Sequence, residues 1–284
     1  MKKNGYKIGF IICLICLIAL CGMMAYRYTV RRNAEKTLEE MIAETQTDTS
    51  AARVTETPTP TETPTPTETP TETPTPTPEE KRDPLAERGI TIPEKNIDWE
   101  GLWSQNEHIY AWIYIPNTQI DYPIVQHPDD KSYYLDHNID HSEGYPGTIY
   151  TQNLNAKDWS DPNTVIYGHN MNNGSMFHDL HLFEDAMFFD ENQFVYIYTP
   201  EGNMAYEIFA AYPFSNVDIL LCFDFTTPDA VQLYFDGIWT NRSMTSHFRE
   251  GVTLDGETSN VITLSTCIGG QPESRYLVQA VLVE

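Results

Sequence analysis

A cysteine, a histidine and an arginine stand where short β-type runs end or begin. Cys267 closes TLSTC (263–267), Arg275 opens RYLV (275–278) eight residues later, and His169 follows a strand-like run in VIYGHN (165–170). A free thiol with its ordinary pKa of about 8.5 is only a few per cent thiolate at neutral pH, so a nucleophilic cysteine needs a basic or cationic neighbour. His169 is a candidate for that neighbour. Attack on a peptide carbonyl creates an oxyanion, and a guanidinium with five fixed N–H groups is suited to hold it beside backbone amides. Arg275 is the candidate for that part. Taken singly, each residue also reads as an ordinary structural residue at the end of a strand.

For these three to meet, the elements bearing them must deliver strand ends to one rim. From about residue 97, short runs rich in Ile, Val, Tyr and Phe alternate with turn residues. Segments 110–115, 120–125, 147–151, 163–168, 193–199, 204–212, 260–266 and 275–283 read as eight strands, a count and spacing that favour a closed barrel or sandwich. Three segments carry helical spacing instead: 98–105, 175–185 and 229–240. The last opens after Thr227-Pro228, a helix-start signal, and places Val231, Tyr234, Phe235 and Ile238 on one stripe. The expected class is mainly β, with helices covering the barrel.

The other end of the chain is built differently. Residues 8–26 form a chargeless apolar run of the length needed to cross a bilayer as a helix, flanked by Lys2, Lys3 and Lys7 before it and Arg27, Arg31 and Arg32 after it. A cleaved signal peptide would be shorter and end in small residues, so a retained anchor is the reading. Lipoprotein processing at Cys21 is disfavoured by the bulky Leu20 before it. Basic residues flank the run on both sides, so charge alone does not orient it; the stalk that follows reads 1–7 as the cytoplasmic N-terminus, 27–54 as a juxtamembrane segment with a short charged helix expected in 33–54, and 55–84 as a linker. Within the linker, 55–78 repeats Thr, Pro and Glu without a large apolar side chain, so it cannot bury a core. At about 3.1 Å per residue in polyproline II, that stretch makes a spacer of roughly 75 Å. Residues 85–284 are left as the folded domain that bears His169, Cys267 and Arg275.

Charge and the remaining polar residues narrow the chemistry. A formal net charge of -24 argues against a nucleic-acid partner, because such a surface repels phosphate. Only Cys222 and Cys267 lie outside the N-terminal apolar run, which allows neither a disulfide framework nor a cysteine metal site. Cys222, inside ILLCFDF, reads as a small buried hydrophobe. His178 and His181 have metal-ligand spacing but lack the Glu of an H-E-x-x-H site, so a surface helix is the better reading. His127, His137 and His141 are expected in solvent, with His137 the one able to approach the site. No metal and no cofactor is expected.

The joint pattern resembles the sortases, most closely those of class B. The resemblance rests on IDYPIVQ (120–126), YYL (133–135), GTIY (147–150), VIYGHNM (165–171), MF (176–177), TLSTC and RYLV, and covers roughly 97–284. It implies a closed eight-stranded sortase barrel carried by a type II membrane anchor, with the catalytic domain outside the cell at the wall. By matching positions, Cys267 would be the nucleophile, His169 the general acid and base, and Arg275 the residue that orients substrate and stabilises the oxyanion. Ser265, Thr266, Leu135 and Tyr167 would line the substrate groove. Expected partners are secreted proteins with a C-terminal sorting signal and an amine of peptidoglycan, joined through an acyl-thioester. The loop 268–274 is short, which leaves an NPxTx-like or a PxTG-like signal open. Alternatives are a pilus-polymerising sortase, although 81–95 holds no clear aromatic plug, and a non-catalytic wall-binding module on a stalk. A papain-like peptidase fits less well, since it would place its Cys before its His.

Overall fold

The computed structural model describes residues 5–47 and 84–283, with side chains described for 14–43 and 84–283. The β-rich part supplies β1 (Ile109–Tyr114), β2 (Asp121–Val125), β3 (Tyr150–Thr151), β4 (Asn163–Tyr167), β5 (Phe194–Thr199), β6 (Gly202–Ser215), β7 (His247–Phe248), β8 (Val261–Ile268) and β9 (Gln271–Leu282). Their order is β5-β1-β2-β3-β4-β8-β9-β6, and β6 pairs back onto β5, closing eight strands into a barrel. The two-residue β7 hangs outside that ring on Ala210 and Ala211 of β6. All eight expected strands are present. The run 147–151 contributes only two residues to the ladder, because Gly147 turns with φ of 69°. Conversely, β6 and β9 outgrow their expected bounds by pairing from Tyr206↔Leu282 to Ser215↔Ser274.

Alternation along the strands decides what faces the core. Ile262 and Leu264 of β8 join Ile166, Tyr276 and Val278 in one buried cluster with Ile113, Ile124, Ile197 and Ile208. The opposite face carries Val261 of β8, Val165 of β4 and Leu277 of β9, packed with Val231, Tyr234, Phe235 and Ile238. Those four lie on one helix, Pro228–Ile238, and they are the stripe the sequence assigns. By the same period, Ser265 and Cys267 share the face of Val261, and Arg275 that of Leu277. The catalytic candidates are therefore on the outer face of the barrel wall, not in its interior.

Among the described residues, six α-helices accompany the barrel: α1 (Gly5–Thr47), α2 (Pro84–Glu87), α3 (Trp99–Gln105), α4 (Ala186–Glu191), α5 (Ile219–Cys222) and α6 (Pro228–Ile238). Capping fixes the starts of α3 and α6: Asp98 accepts from the Gly101 N–H, and the Thr227 hydroxyl from the Ala230 N–H. The expected helix over 175–185 is instead a 3-10 helix, His178–Glu184, ended by Asp185, whose carboxylate caps α4. Cys222 is exposed, a correction to its expected burial. In the single turn of α5, Ile219 faces inward and the thiol three residues later faces out.

The apolar run and the charged segment after it form one continuous helix, α1, rather than an anchor plus a separate short helix. Leu14–Ala43 is long and apolar enough to cross a membrane by length and composition. Near its C-terminal end, Ala34, Leu38 and Met41 are buried, a stripe at i, i+4, i+7. Ala34 and Leu38 share a small cavity with Tyr122, Pro123, Ile149 and Met176 of the barrel. The Thr-Pro-Glu repeat lies outside the described residues.

Candidate active site

β4 and β8 run parallel, so their C-terminal ends leave the wall side by side, with Tyr167 opposite Ser265. β9 returns antiparallel and places Arg275 directly opposite Cys267. After β4 the chain passes Gly168 to reach His169, at a point packed too closely for any side chain. A Cβ there would lie 2.5 Å from Ile149 Cδ1 and 2.6 Å from Phe177 Cγ. The Gly168 N–H donates to the Ser265 carbonyl at 3.1 Å, tying the histidine turn to the cysteine strand.

One cleft of about 200 Å³ gathers all seven residues singled out from the sequence: Cys267, His169, Arg275, Leu135, Tyr167, Ser265 and Thr266. His169 Nε2 donates to the Leu135 carbonyl at 2.7 Å. A carbonyl can only accept, so Nε2 carries a proton, and in the neutral ring Nδ1 is the acceptor nitrogen. Leu135 thus does more than line the groove, because its backbone selects the tautomer. Gly147 makes room for this arrangement: a Cβ on it would meet the Leu135 oxygen at 2.9 Å and His169 Cδ2 at 3.3 Å. Arg275 Nη1 donates to the carbonyls of Pro272 and Ser274, each at 3.0 Å, which holds the guanidinium plane and leaves Nε and Nη2 unengaged.

Sequence reasoning missed two further sets of residues. Behind the nucleophile candidate, Asn170 Nδ2 and His181 Nε2 each donate to the Cys267 carbonyl at 3.0 Å, and His181 Nδ1 meets Glu184 Oε1 at 2.5 Å. His178 Nδ1 is 2.8 Å from Asn170 Oδ1. The pair read as a surface helix therefore braces the cysteine strand from behind. No group of three or more His, Cys, Asp or Glu side chains is placed to hold a metal ion among the described residues. Across the cleft, Lys131 Nζ donates to Asp218 Oδ2 at 2.6 Å, and Gln152 Nε2 donates to the same oxygen at 3.2 Å.

The cleft is also short of hydrogen-bond partners. Gln152 Oε1, Tyr167 OH, Asp218 Oδ1 and Thr266 Oγ1 are buried without one, and all four belong to cleft residues. A buried polar group left unpaired costs roughly 1–3 kcal/mol, so these four atoms are a local cost to stability beside Cys267. Burial, and then the Asp218 carboxylate, push the Tyr167 phenol well above its ordinary value, so it is a neutral donor.

The loop carrying Leu135 rests on an aromatic cluster, and the three histidines expected in solvent belong to it. The Tyr133 ring is stacked with His127 at 4.3 Å and with His137 at 3.9 Å. His108 meets His127 and His141 edge-on at 5.0 and 5.6 Å, and its Nδ1 lies 2.7 Å from the Tyr134 hydroxyl. None of these histidines lines the cleft.

Comparison with known proteins agrees with this arrangement. A family model described as the Sortase domain matches residues 113–283. Sortase B of Listeria monocytogenes is 33% identical over 166 residues, covering 58% of this chain and 65% of that protein, just under two thirds of its length. Sortase B of Staphylococcus aureus is 25% identical over 188 residues, covering 66% and 75%. The X-ray structure of sortase B from Clostridium perfringens superposes with a TM-score of 0.58 at 27% identity, covering 65% of this chain and 99% of that one. With one domain matching most of the barrel, and class B proteins similar in both sequence and fold, the chain belongs to the sortase family and groups with its class B members.

Proposed function

We propose that the protein is a membrane-anchored cysteine transpeptidase that cleaves a C-terminal sorting signal after Thr and joins the protein to a peptidoglycan amine. The observation that carries this reading is the register that sets Cys267 opposite Arg275, in one cleft with His169. The Cys267 thiol gives its proton to His169, and the thiolate attacks the Thr carbonyl. The resulting oxyanion takes the unengaged N–H groups of Arg275. As the C–N bond breaks, His169 returns the proton to the leaving amine, and an acyl-thioester remains. The acceptor amine then loses a proton to His169, attacks the thioester and releases the thiol. The signal lies along the groove lined by Leu135, Tyr167, Ser265 and Thr266.

The substrates are secreted proteins bearing such a signal, and α1 is the single-pass anchor in a type II orientation, with the barrel outside the cell at the wall. A pilus-polymerising enzyme fits less well, since no residue of 84–98 lines the cleft. A wall-binding module without catalysis gives no reason for the Cys–Arg register.

The test incubates the full chain in detergent micelles with NPxTx-like and PxTG-like peptides plus triglycine or diaminopimelate, and reads products by mass spectrometry. The expected product is a peptide cut after Thr and joined to the amine, absent with Cys267→Ala. Turnover retained by Cys267→Ala would falsify the assignment, and a free acid formed with the amine ignored would make the protein a peptidase.

A further inference from the structure

The ladder between β4 and β8 breaks beside the nucleophile candidate. In a parallel pair the bonds are evenly spaced, so each N–H that crosses to the neighbouring strand is followed two residues later by the next. The last regular pair is Tyr167 and Ser265, and beyond it the Gly168 N–H takes the Ser265 carbonyl at 3.1 Å. The next step of that rhythm would bring the N–H of residue 170 to the carbonyl of Cys267. The chain does not take it: the backbone leaves the sheet at His169, and Asn170 forms a bridge with Met176 instead. On the other side of β8 the register with β9 also shifts, between Cys267 and Ile268.

The side chain of Asn170 fills the missing step. Its Nδ2 donates to the Cys267 carbonyl at 3.0 Å, across 97 positions of sequence. The other end of the amide is held too, because Oδ1 lies 2.8 Å from His178 Nδ1. A carbonyl can only accept, so Nδ2 faces Cys267 and Oδ1 faces His178, whose Nδ1 is then the donor. His181 packs against the same group: its Nε2 is 3.0 Å from both Asn170 Nδ2 and the Cys267 carbonyl, and its Nδ1 is held by Glu184.

We infer that Asn170 is a positioning residue that sets the spacing between His169 and Cys267. It is joined to His169 by a peptide bond and to Cys267 by its amide, a shorter link than the one through Gly168 and Ser265. A side chain in place of the backbone N–H frees the main chain to carry the imidazole out of the sheet while the cysteine strand keeps its register. This role rests on the reading of Cys267 as nucleophile and His169 as base. Proton transfer between them needs hydrogen-bond reach, and a displacement of about 1 Å costs on the order of 10²-fold. His181 keeps a donor on the carbonyl when the Asn170 amide is lost, so the effect of that loss is partial.

The experiment compares the full chain in detergent micelles with Asn170→Leu, which keeps the branched shape without the donor, and with Asn172→Leu, an exposed position in the same loop. Two rates are read: transfer of a signal peptide, and alkylation of Cys267 by iodoacetamide at neutral pH, followed by mass spectrometry with the exposed Cys222 as internal reference. Asn170→Leu is expected to lower kcat about tenfold with KM within about twofold, because the groove that holds the signal is intact. It should slow alkylation of Cys267 severalfold and leave Cys222 unaffected. A merely structural role would lower the melting temperature and slow neither thiol. Unchanged alkylation of Cys267 overturns the positioning role, and so does an equal loss in Asn172→Leu. Should the unaltered chain transfer no peptide, the transpeptidase reading falls, and the alkylation rates still decide the role of Asn170. If Asn170→Leu does not melt cooperatively, His178→Leu carries the test. It leaves Asn170 in place but frees its amide to turn, so a smaller slowing of alkylation is expected, and an unchanged rate again overturns the role.

Discussion

Arg275 is held by its backbone neighbours rather than by a carboxylate. Both bonds run from Nη1 to carbonyls of its own hairpin, so the fork is aimed without being neutralised. A lysine at this position keeps the charge but has neither the plane nor the spare N–H groups. Arg275→Lys is therefore expected to lower kcat/KM for a signal peptide by about 10²-fold, the usual cost of one oxyanion donor, with the melting temperature unmoved. Peptide transfer measured beside a thermal melt checks both halves; near-normal rates would reduce Arg275 to a structural residue. The three catalytic candidates were legible because strand ends marked by Cys, His and Arg are visible in one dimension. Asp218, Gln152 and the Asn170–His181–Glu184 brace were not, because their roles rest on hydrogen bonds between residues 66, 86 and 97 positions apart.

At the scale of elements, the segment from Tyr133 to Leu135 matters because its last carbonyl fixes the His169 tautomer, and the histidine cluster is its floor. Burial, then His127 and His141, hold His108 below its ordinary value, with Glu107 opposing and Lys157 adding a smaller push in the same direction. Its phenol partner, Tyr134, is pushed up to about 12, mainly by burial, and stays a neutral donor. The unfolded chain therefore binds a proton at His108 more readily than the folded one. Stability from this group is full above its unfolded value of 6.5 and is lost as pH falls through it. Melting temperature is expected to drop between about pH 7 and pH 5, and His108→Gln should flatten that drop. Parallel profiles for the two proteins would remove His108 from the account. Element types followed sequence signals where those were periodic: the α6 stripe and its Thr227 cap are both found. They failed where the element is shorter than its own period. The two residues of β7 carry no alternation, and the single turn of α5 exposes Cys222 while burying Ile219.

At the scale of the whole molecule, the position of the cleft relative to the membrane depends on how α1 meets the barrel. The Thr-Pro-Glu repeat reads in the sequence as a long spacer, yet Ala34, Leu38 and Met41 are buried before that repeat begins. Tyr26, the last residue of the apolar run, precedes Ala34 by eight residues, about 12 Å along a helix. If α1 is the anchor, the docked stripe rather than the repeat sets the distance from bilayer to barrel. The stripe is apolar on a helix that is otherwise charged in this stretch, and its barrel side is formed by Tyr122, Pro123 and Ile149. Leu38→Ala removes the leucine that packs into the barrel core and should cost about 2 kcal/mol, at the low end for a buried leucine because 8% of it remains exposed. In a domain of this size that is a fall of about 4–8 °C in melting temperature. Leu17→Ala, an exposed position in the apolar run, serves as the control and should leave the melt of the full chain in micelles unchanged. Equal melts for the two variants would mean that the helix does not hold the barrel, and the spacing would revert to the repeat.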